Sequence, residues 1–242
     1  MKILALDTAT EGCSAALLIG TDILGRELEL GRGHAERILT MIDGLLTEAA
    51  IGLGALDAIA FGRGPGGFTG VRLAASVTQG LAFGAGLPVI PVSDLQAVAQ
   101  RALASDATIE RVVVCNDARM QEVYWGCFER GADGLAIPVG KERVSRPDTV
   151  AVPADWSSPI HGAGRGFAAY PELTTRIGAP LDSVHDRMLP RAQEMALLAV
   201  PAFLAGATVA AEEAIPVYLR DDVIRAAGPE SLVRGRHTGS DN

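Results

Sequence analysis

The feature that most constrains this chain is a pattern that occurs twice. "KILALDTATEGCSAALLIG" reads as an apolar strand (Ile3–Leu6), a polar turn from Asp7 to Gly12, and a second strand of small apolar residues, Cys13–Ile19. The segment "RVVVCNDARMQEVYWGCFER" repeats it roughly 110 residues later: Val112–Cys115, Asp117 and Val123–Phe128 echo Ile3–Leu6, Asp7 and Cys13–Ile19. That period is far longer than a solenoid repeat. It predicts an internal duplication, with two related α/β halves that each open with an antiparallel hairpin.

Other periods fill in the halves. Leu24, Arg26, Leu28 and Leu30 alternate as in a half-exposed third strand. From His34 to Ala50 the period becomes helical, with Ile38, Met41, Ile42, Leu45, Leu46 and Ala49 on one face. A buried strand at Leu56–Phe61 follows, then a glycine-rich loop, a helix from about Gly70 to Phe83, and a short strand in "PVIPVSD". Ser93 is placed to cap the next helix, with Gln96 completing a capping box. The second half is broken repeatedly by Pro138, Pro147, Pro153, Pro159 and Pro171, and its long helix comes late, from Arg191. That helix is apolar nearly all round, which predicts burial. The expected division is residues 1–105 and 106–227, with 228–242 a mobile polar tail.

With 48% hydrophobic and 21% charged residues, the chain is globular rather than disordered. Its net charge is −8, and Lys2 and Lys141 are its only lysines. An acidic surface repels phosphate backbones, so tight independent binding of nucleic acid is not expected, whereas contact with RNA inside a complex remains compatible. Cys13, Cys115 and Cys127 each lie in an apolar run and read as buried thiols in a reducing compartment. Asp7 interrupts the N-terminal apolar run too early for a signal peptide, and Pro201 and Gly206 interrupt the long uncharged stretch 195–211. A cytoplasmic protein without membrane association is expected.

The loop in "FGRGPGGFTGVRLAASVTQGLAFG", residues 61–84, contains Gly62, Gly64 and Gly67 at G-x-G-x-x-G spacing. As a dinucleotide cradle it is compromised. Pro65 offers no N–H, the first acidic residue downstream, Asp94, comes too late for a ribose, and three predicted strands and a helix precede it. A P-loop fails as well, since Phe68 stands where lysine belongs. The structural reading is that Gly64, Pro65, Gly66, Gly67 and Gly70 shape a tight approach to a helix. Gly66 and Gly67 would supply positive φ, and Thr69 would cap the helix. Ala74, Ala75, Ser76, Gly80 and Ala82 give that helix a slim profile, open to close packing by another helix. The neighbour could belong to the same domain or to a partner, and the residues leave both open.

These segments resemble a known family. "GRGPGGFTGVRLAASVTQGLA" is similar to the G-P-G-S-F-T-G-x-R segment of bacterial TsaB (YeaZ) proteins, with Gly67 in place of the serine. "ILALDTAT", "HAERILTMID", "DARMQEVYWGCF" and "PVYLR" match further segments in the same order, over about residues 1–221. The resemblance implies a duplicated actin-like ATPase fold. It also implies a subunit that supports threonylcarbamoylation of adenosine 37 (t6A) in tRNAs reading ANN codons without performing the transfer. The implied partners are a catalytic TsaD-type subunit, a TsaE-type ATPase and a second copy of the chain, with tRNA met only through the complex. The helices after His34 and after the glycine loop would form the interface, making His34, Ile38, Met41, Ile42, Leu45, Thr69, Val71, Arg72, Ala75 and Gly80 the expected partner residues.

The resemblance also says where chemistry should be absent. The catalytic relatives bind a metal through H-x-x-x-H, but here Ile38 stands four residues after His34, and His161, His185 and His237 lack matching spacing. No metal and no cofactor of its own are expected. Asp7 and Thr8 are the only weak candidates for nucleotide contact, because "DTAT" lacks the glycine typical of the phosphate turn. "HGAGRGF" (161–167) fits either a glycine-rich nucleotide segment or an ordinary turn, and Asp7 and Asp117 fit either nucleotide contact or the end of a strand. ATP or another nucleotide is compatible at the level of the complex. Two rivals are a glycoprotease-like hydrolase, for which no G-x-S-x-G or H-E-x-x-H motif is present, and a small-metabolite kinase, disfavoured by the missing glycine.

Overall fold

A computed structural model describes residues 1–157 and 159–220. The tail expected at 228–242, His237 and the last residues of the second half lie outside them.

The first half folds as β1 (Lys2–Asp7), β2 (Gly12–Ile19), β3 (Asp22–Glu29), α1 (His34–Glu48), β4 (Ala58–Gly62), α2 (Phe68–Ala85), β5 (Val89–Val92) and α3 (Asp94–Ser105). The second contains β6 (Arg111–Arg119), β7 (Glu122–Arg130), β8 (Ala136–Ser145), β9 (His161–Ala163), α4 (Gly166–Ala169), α5 (Leu173–Arg176), β10 (Ser183–His185) and α6 (Ala192–Leu204). The sheets run β3-β2-β1-β4-β5 and β8-β7-β6-β9-β10. In each, the first three strands are antiparallel, the fourth pairs in parallel with the first and the fifth in parallel with the fourth. The duplication is therefore real, and this is the two-lobed α/β arrangement that the resemblance implied.

Register refines the repeat. Ile3 pairs with Leu18 and Ala58, and Val112 with Phe128 and His161, so Ile3 corresponds to Val112. The counterpart of Asp7 is then Asn116, not Asp117 as the sequence pattern had it.

Both faces of each sheet are covered, which is why the strands read as continuous apolar runs. On the outer face of the first sheet, Leu4, Leu6, Leu17, Ile59 and Phe61 pack against Ile38, Ile42 and Leu45 of α1 and Ala74, Ala75 and Ala82 of α2. On the inner face, Ile3, Ala5 and Ala16 meet a two-helix layer, α6 against the first sheet and α3 against the second. Val112, Val114 and Phe128 complete this central core. The outer face of the second sheet buries Val113, Cys115, Trp125 and Cys127 under Trp156, Phe167, Leu173 and Ile177. α6 is buried along its first half, as its uniform apolarity predicted. Each lobe thus lends its last helix to the centre.

Candidate functional site

The glycine loop lies on the first hairpin turn. The Gly67 N–H donates to Ala9 O (2.7 Å), and Thr8 Oγ1 donates to Gly70 O (2.7 Å). A Cβ on Gly66 would stand 2.5 Å from Ala9 O, and one on Gly70 still closer to Thr8 O, so these glycines are demanded by close approach of two backbones. Positive φ within the loop occurs at Gly64 (100°) and not at Gly66 or Gly67, which corrects the turn expected from the sequence. Gly67 itself is the N-cap, and α2 begins at Phe68, so Thr69 sits exposed inside the first turn and caps nothing. Ser93 does cap α3, accepting the Gln96 N–H (3.2 Å), but the Gln96 side chain donates to Ala136 O (2.8 Å) instead of closing the box.

Beside this loop a cleft of about 990 Å³ opens between the lobes. The Thr8–Glu11 turn, the start of α1 and the glycine loop line one side, and Asn116–Arg119 line the other. Val217–Arg220 lines it as well and ties the lobes together. The Val217 N–H donates to Arg63 O (2.7 Å), while Arg220 donates to Ala118 O (3.2 Å) and pairs with Glu122. Arg119 adds a bridge to Glu11 (3.2 Å), and Arg165 pairs with Glu29 (2.7 Å). His34 stands at the head of α1 with Nε2 on Thr10 O (3.0 Å), so it steadies the turn and is not on the outer surface.

The nucleotide candidates face other work. Asp7 is fully buried, with Oδ1 accepting the Ala9 N–H (2.9 Å) and the Asp94 carboxyl facing it across Gly62. The Thr8 hydroxyl is spent on Gly70 O. Asp117 accepts from the Arg119 backbone (2.8 Å) and from Tyr170 Oη (3.3 Å). "HGAGRGF" becomes β9 and the turn into α4, with Gly164 and Gly166 packed on Cys115 O. Among the described residues, no three histidine, cysteine, aspartate or glutamate side chains converge as a metal site, and no helix is long and apolar enough to cross a membrane. All three cysteines are free and buried, and burial pushes the thiols up, to about 11 at Cys13 and about 12 at Cys127. They remain protonated and unreactive.

The helices themselves require the main correction. Ile38, Met41, Ile42 and Leu45 of α1 and Val71 and Ala75 of α2 are all buried in the first lobe, where a partner cannot touch them. An apolar period marks the face that buries first, and that face lies on the chain's own sheet. The exposed side of α2 carries Phe68, Thr69, Arg72, Ser76, Gly80 and Phe83 instead. Phe68 is 63% exposed and Phe83 83%, and Leu39 of α1 is 52% exposed. A Cβ on Gly80 would meet nothing. The Arg72 guanidinium lies 3.2 Å from the Phe68 ring centre and 5.0 Å from that of Tyr218, held by two half-exposed rings at the cleft mouth. Of the expected partner residues, only Thr69, Arg72 and Gly80 lie on this surface. Lone apolar residues in a polar stripe (Leu39, Phe68 and Phe83) were the signal that periodicity passed over.

A chain carrying such a loop and such helices has close relatives. TsaB, the tRNA threonylcarbamoyladenosine biosynthesis protein of Escherichia coli (strain K12), is 40% identical over 92% of this chain and 96% of its own. The Haemophilus influenzae protein of the same name is 41% identical over 92% and 95%. The chain belongs to the TsaB family. The family model described as "TsaD: tRNA N6-adenosine threonylcarbamoyltransferase" matches residues 29–227 of this chain. A crystal structure titled "YeaZ from Pseudomonas aeruginosa" is similar with a TM-score of 0.83 and 45% identity, covering 90% of this chain and 99% of that one. Another from the same organism, titled as an uncharacterized protein with similarity to peptidase YEAZ, reaches 0.85 and 46% over the same shares.

Proposed function

We propose that this chain takes part in t6A biosynthesis as a non-catalytic subunit, docking a TsaD-type transferase through the outward side of α2 and the neighbouring part of α1. The TsaB names of its relatives support the pathway. The observation that carries the docking role is the exposed stripe from Phe68 to Phe83, in which Arg72 is the only charge on the whole helix. Large exposed aromatic residues around small ones are what a partner helix needs, and isolated solvent gives them no purpose. The same stripe serves a second copy of the chain when no transferase is present. A TsaE-type ATPase joins the assembled pair, and any ATP or other nucleotide is held at that level. An acidic chain meets tRNA through the complex, in the cytoplasm, without a membrane.

The test is reconstitution. A TsaD-type subunit, a TsaE-type ATPase, threonylcarbamoyl-AMP and tRNA are mixed, and modification of adenosine 37 is measured with and without this chain. Modification that depends on the chain is expected. Robust turnover of ATP or peptide by the purified chain alone would replace this reading with the kinase or hydrolase one.

A further inference from the structure

Asp7 ends β1, Asp94 opens α3, and both are fully buried. Their carboxyl groups face each other across Gly62. Each also accepts a backbone N–H, Asp7 Oδ1 from Ala9 (2.9 Å) and Asp94 Oδ2 from Gly64 (2.5 Å). One oxygen of each acid, Asp7 Oδ2 and Asp94 Oδ1, is buried with no hydrogen-bond partner, so a proton held between the two acids would satisfy what the backbone leaves unmet. The pair closes over Gly62, where a Cβ would lie 2.9 Å from Asp94 Oδ1 and closer still to Asp7 Oδ1. Ionised carboxylates only accept hydrogen bonds, so two of them cannot bond to each other without a proton between them.

The polar groups facing the pair are engaged elsewhere. On the Asp7 side stand His34 of α1, bonded to Thr10 O, and the protonated thiol of Cys13 on β2. Asp94 faces Glu142 of β8, which is already bonded to Ser93 and to Arg63 (3.2 Å). Met195 of α6, an apolar side chain, closes the site at Gly62.

We infer that Asp7 and Asp94 share a single proton, and that this O–H···O bond is a latch holding the glycine loop on the first hairpin turn, fixing where α2 starts. The two acids anchor one strand of the contact each: Asp7 organises the Ala9 turn, and Asp94 holds Gly64 just ahead of the residues that dock on Ala9. Burial, the largest influence on both groups, pushes Asp7 up to about 6 and Asp94 well above the ordinary carboxylate range. Both shifts favour a proton held between the two acids, because its loss leaves two bare carboxylates that repel. The inference does not depend on what covers α2.

Infrared spectroscopy of the full chain tests it. A protonated-carboxyl C=O band is expected at neutral pH, and either Asp94→Asn or Asp7→Asn should abolish it. Asn at position 94 still donates to Asp7 and accepts from Gly64, so the amide resonances of Gly64 and Ala9 should keep their wild-type environment. Asp94→Leu should shift both and speed Gly64 amide exchange roughly tenfold, as expected for one lost buried hydrogen bond. If that variant does not fold, alkaline titration of the wild type supplies the readout, since band and amide shifts should change together. Absence of the band at neutral pH, its persistence in either Asn variant, or wild-type amide resonances indifferent to its loss on alkaline titration would each overturn the latch.

Discussion

The two lobes repeat one sheet topology and diverge where the sheets meet solvent. In the first lobe the outer face carries two long helices, α1 and α2, which present Leu39, Phe68 and Phe83 outward. In the second the same face is closed by the single turns α4 and α5 and by Trp156, with prolines dividing the chain. The hairpin turns differ in kind too. Asp7 finds a second acid in Asp94, whereas its counterpart Asn116 is buried with both side-chain polar atoms unpartnered. Duplication set the frame. Divergence then gave one lobe an exposed helical side and two facing buried acids, and left the other as a closed wall held to it by the Val217–Arg63 hydrogen bond and by Arg119 and Arg165.

That contrast can be broken most severely from inside the first lobe. Ile38→Ala or Leu45→Ala should cost about 3 kcal/mol of folding stability, read by denaturant unfolding, because each leaves a cavity on the sheet face. Ala75→Leu belongs with them as an overpacking change of about 2 kcal/mol. Were Ala75→Leu to spare the melting temperature while weakening dimerisation, the assignment of α2's two sides would be reversed.

The hairpin-turn residues Asp7 and Asn116 give the next effect, and it differs between the two lobes. Asp7→Leu should destabilise by about 2 kcal/mol, since it strands the Ala9 N–H and the Asp94 carboxyl. Asn116→Leu should be nearly neutral or stabilising, because it removes a buried amide that bonds to nothing. Equal losses at both sites would erase the distinction drawn between the turns.

A pH profile sharpens it further. Asp7 is raised from 3.8 to about 6, so the folded state holds its proton more tightly than the unfolded chain. The stability it contributes is fully present below pH 3.8 and is lost as pH rises through about 6, opposite to an ion-paired carboxylate. The slope between these values should flatten in Asp7→Asn and persist in Asn116→Asp.

How much of this was legible beforehand depends on what each residue answers to. The strands, the repeat and the buried helix α6 could be read because uniform or alternating apolarity reports local burial. The repeat was read one residue out of register because Asp117 looks like Asp7, whereas the ladder places the uncharged Asn116 there. The helix faces were identified correctly as apolar, and the resemblance set a partner where the chain's own sheet lies, since periodicity names a face without naming what covers it. Thr69 looked like a cap, but Gly67 takes that place because the loop must press against Ala9. Asp94 was weighed only as a ribose ligand. Its pairing with Asp7 joins residues far apart in sequence, and no local pattern carries that contact. The exchange of α3 and α6 between lobes is equally non-local.

The smallest expected effect on folding accompanies the largest on association. Gly80→Leu and Phe83→Asp alter positions with open space or 83% exposure, and should move stability by no more than about 0.5 kcal/mol. The dissociation constant for a TsaD-type subunit, measured by titration calorimetry with wild type and these two variants, tests the central claim most directly. Binding should weaken by roughly tenfold or more in both variants while the melting temperature holds. Wild-type affinity in both would place the partner elsewhere and contradict the docking role of α2.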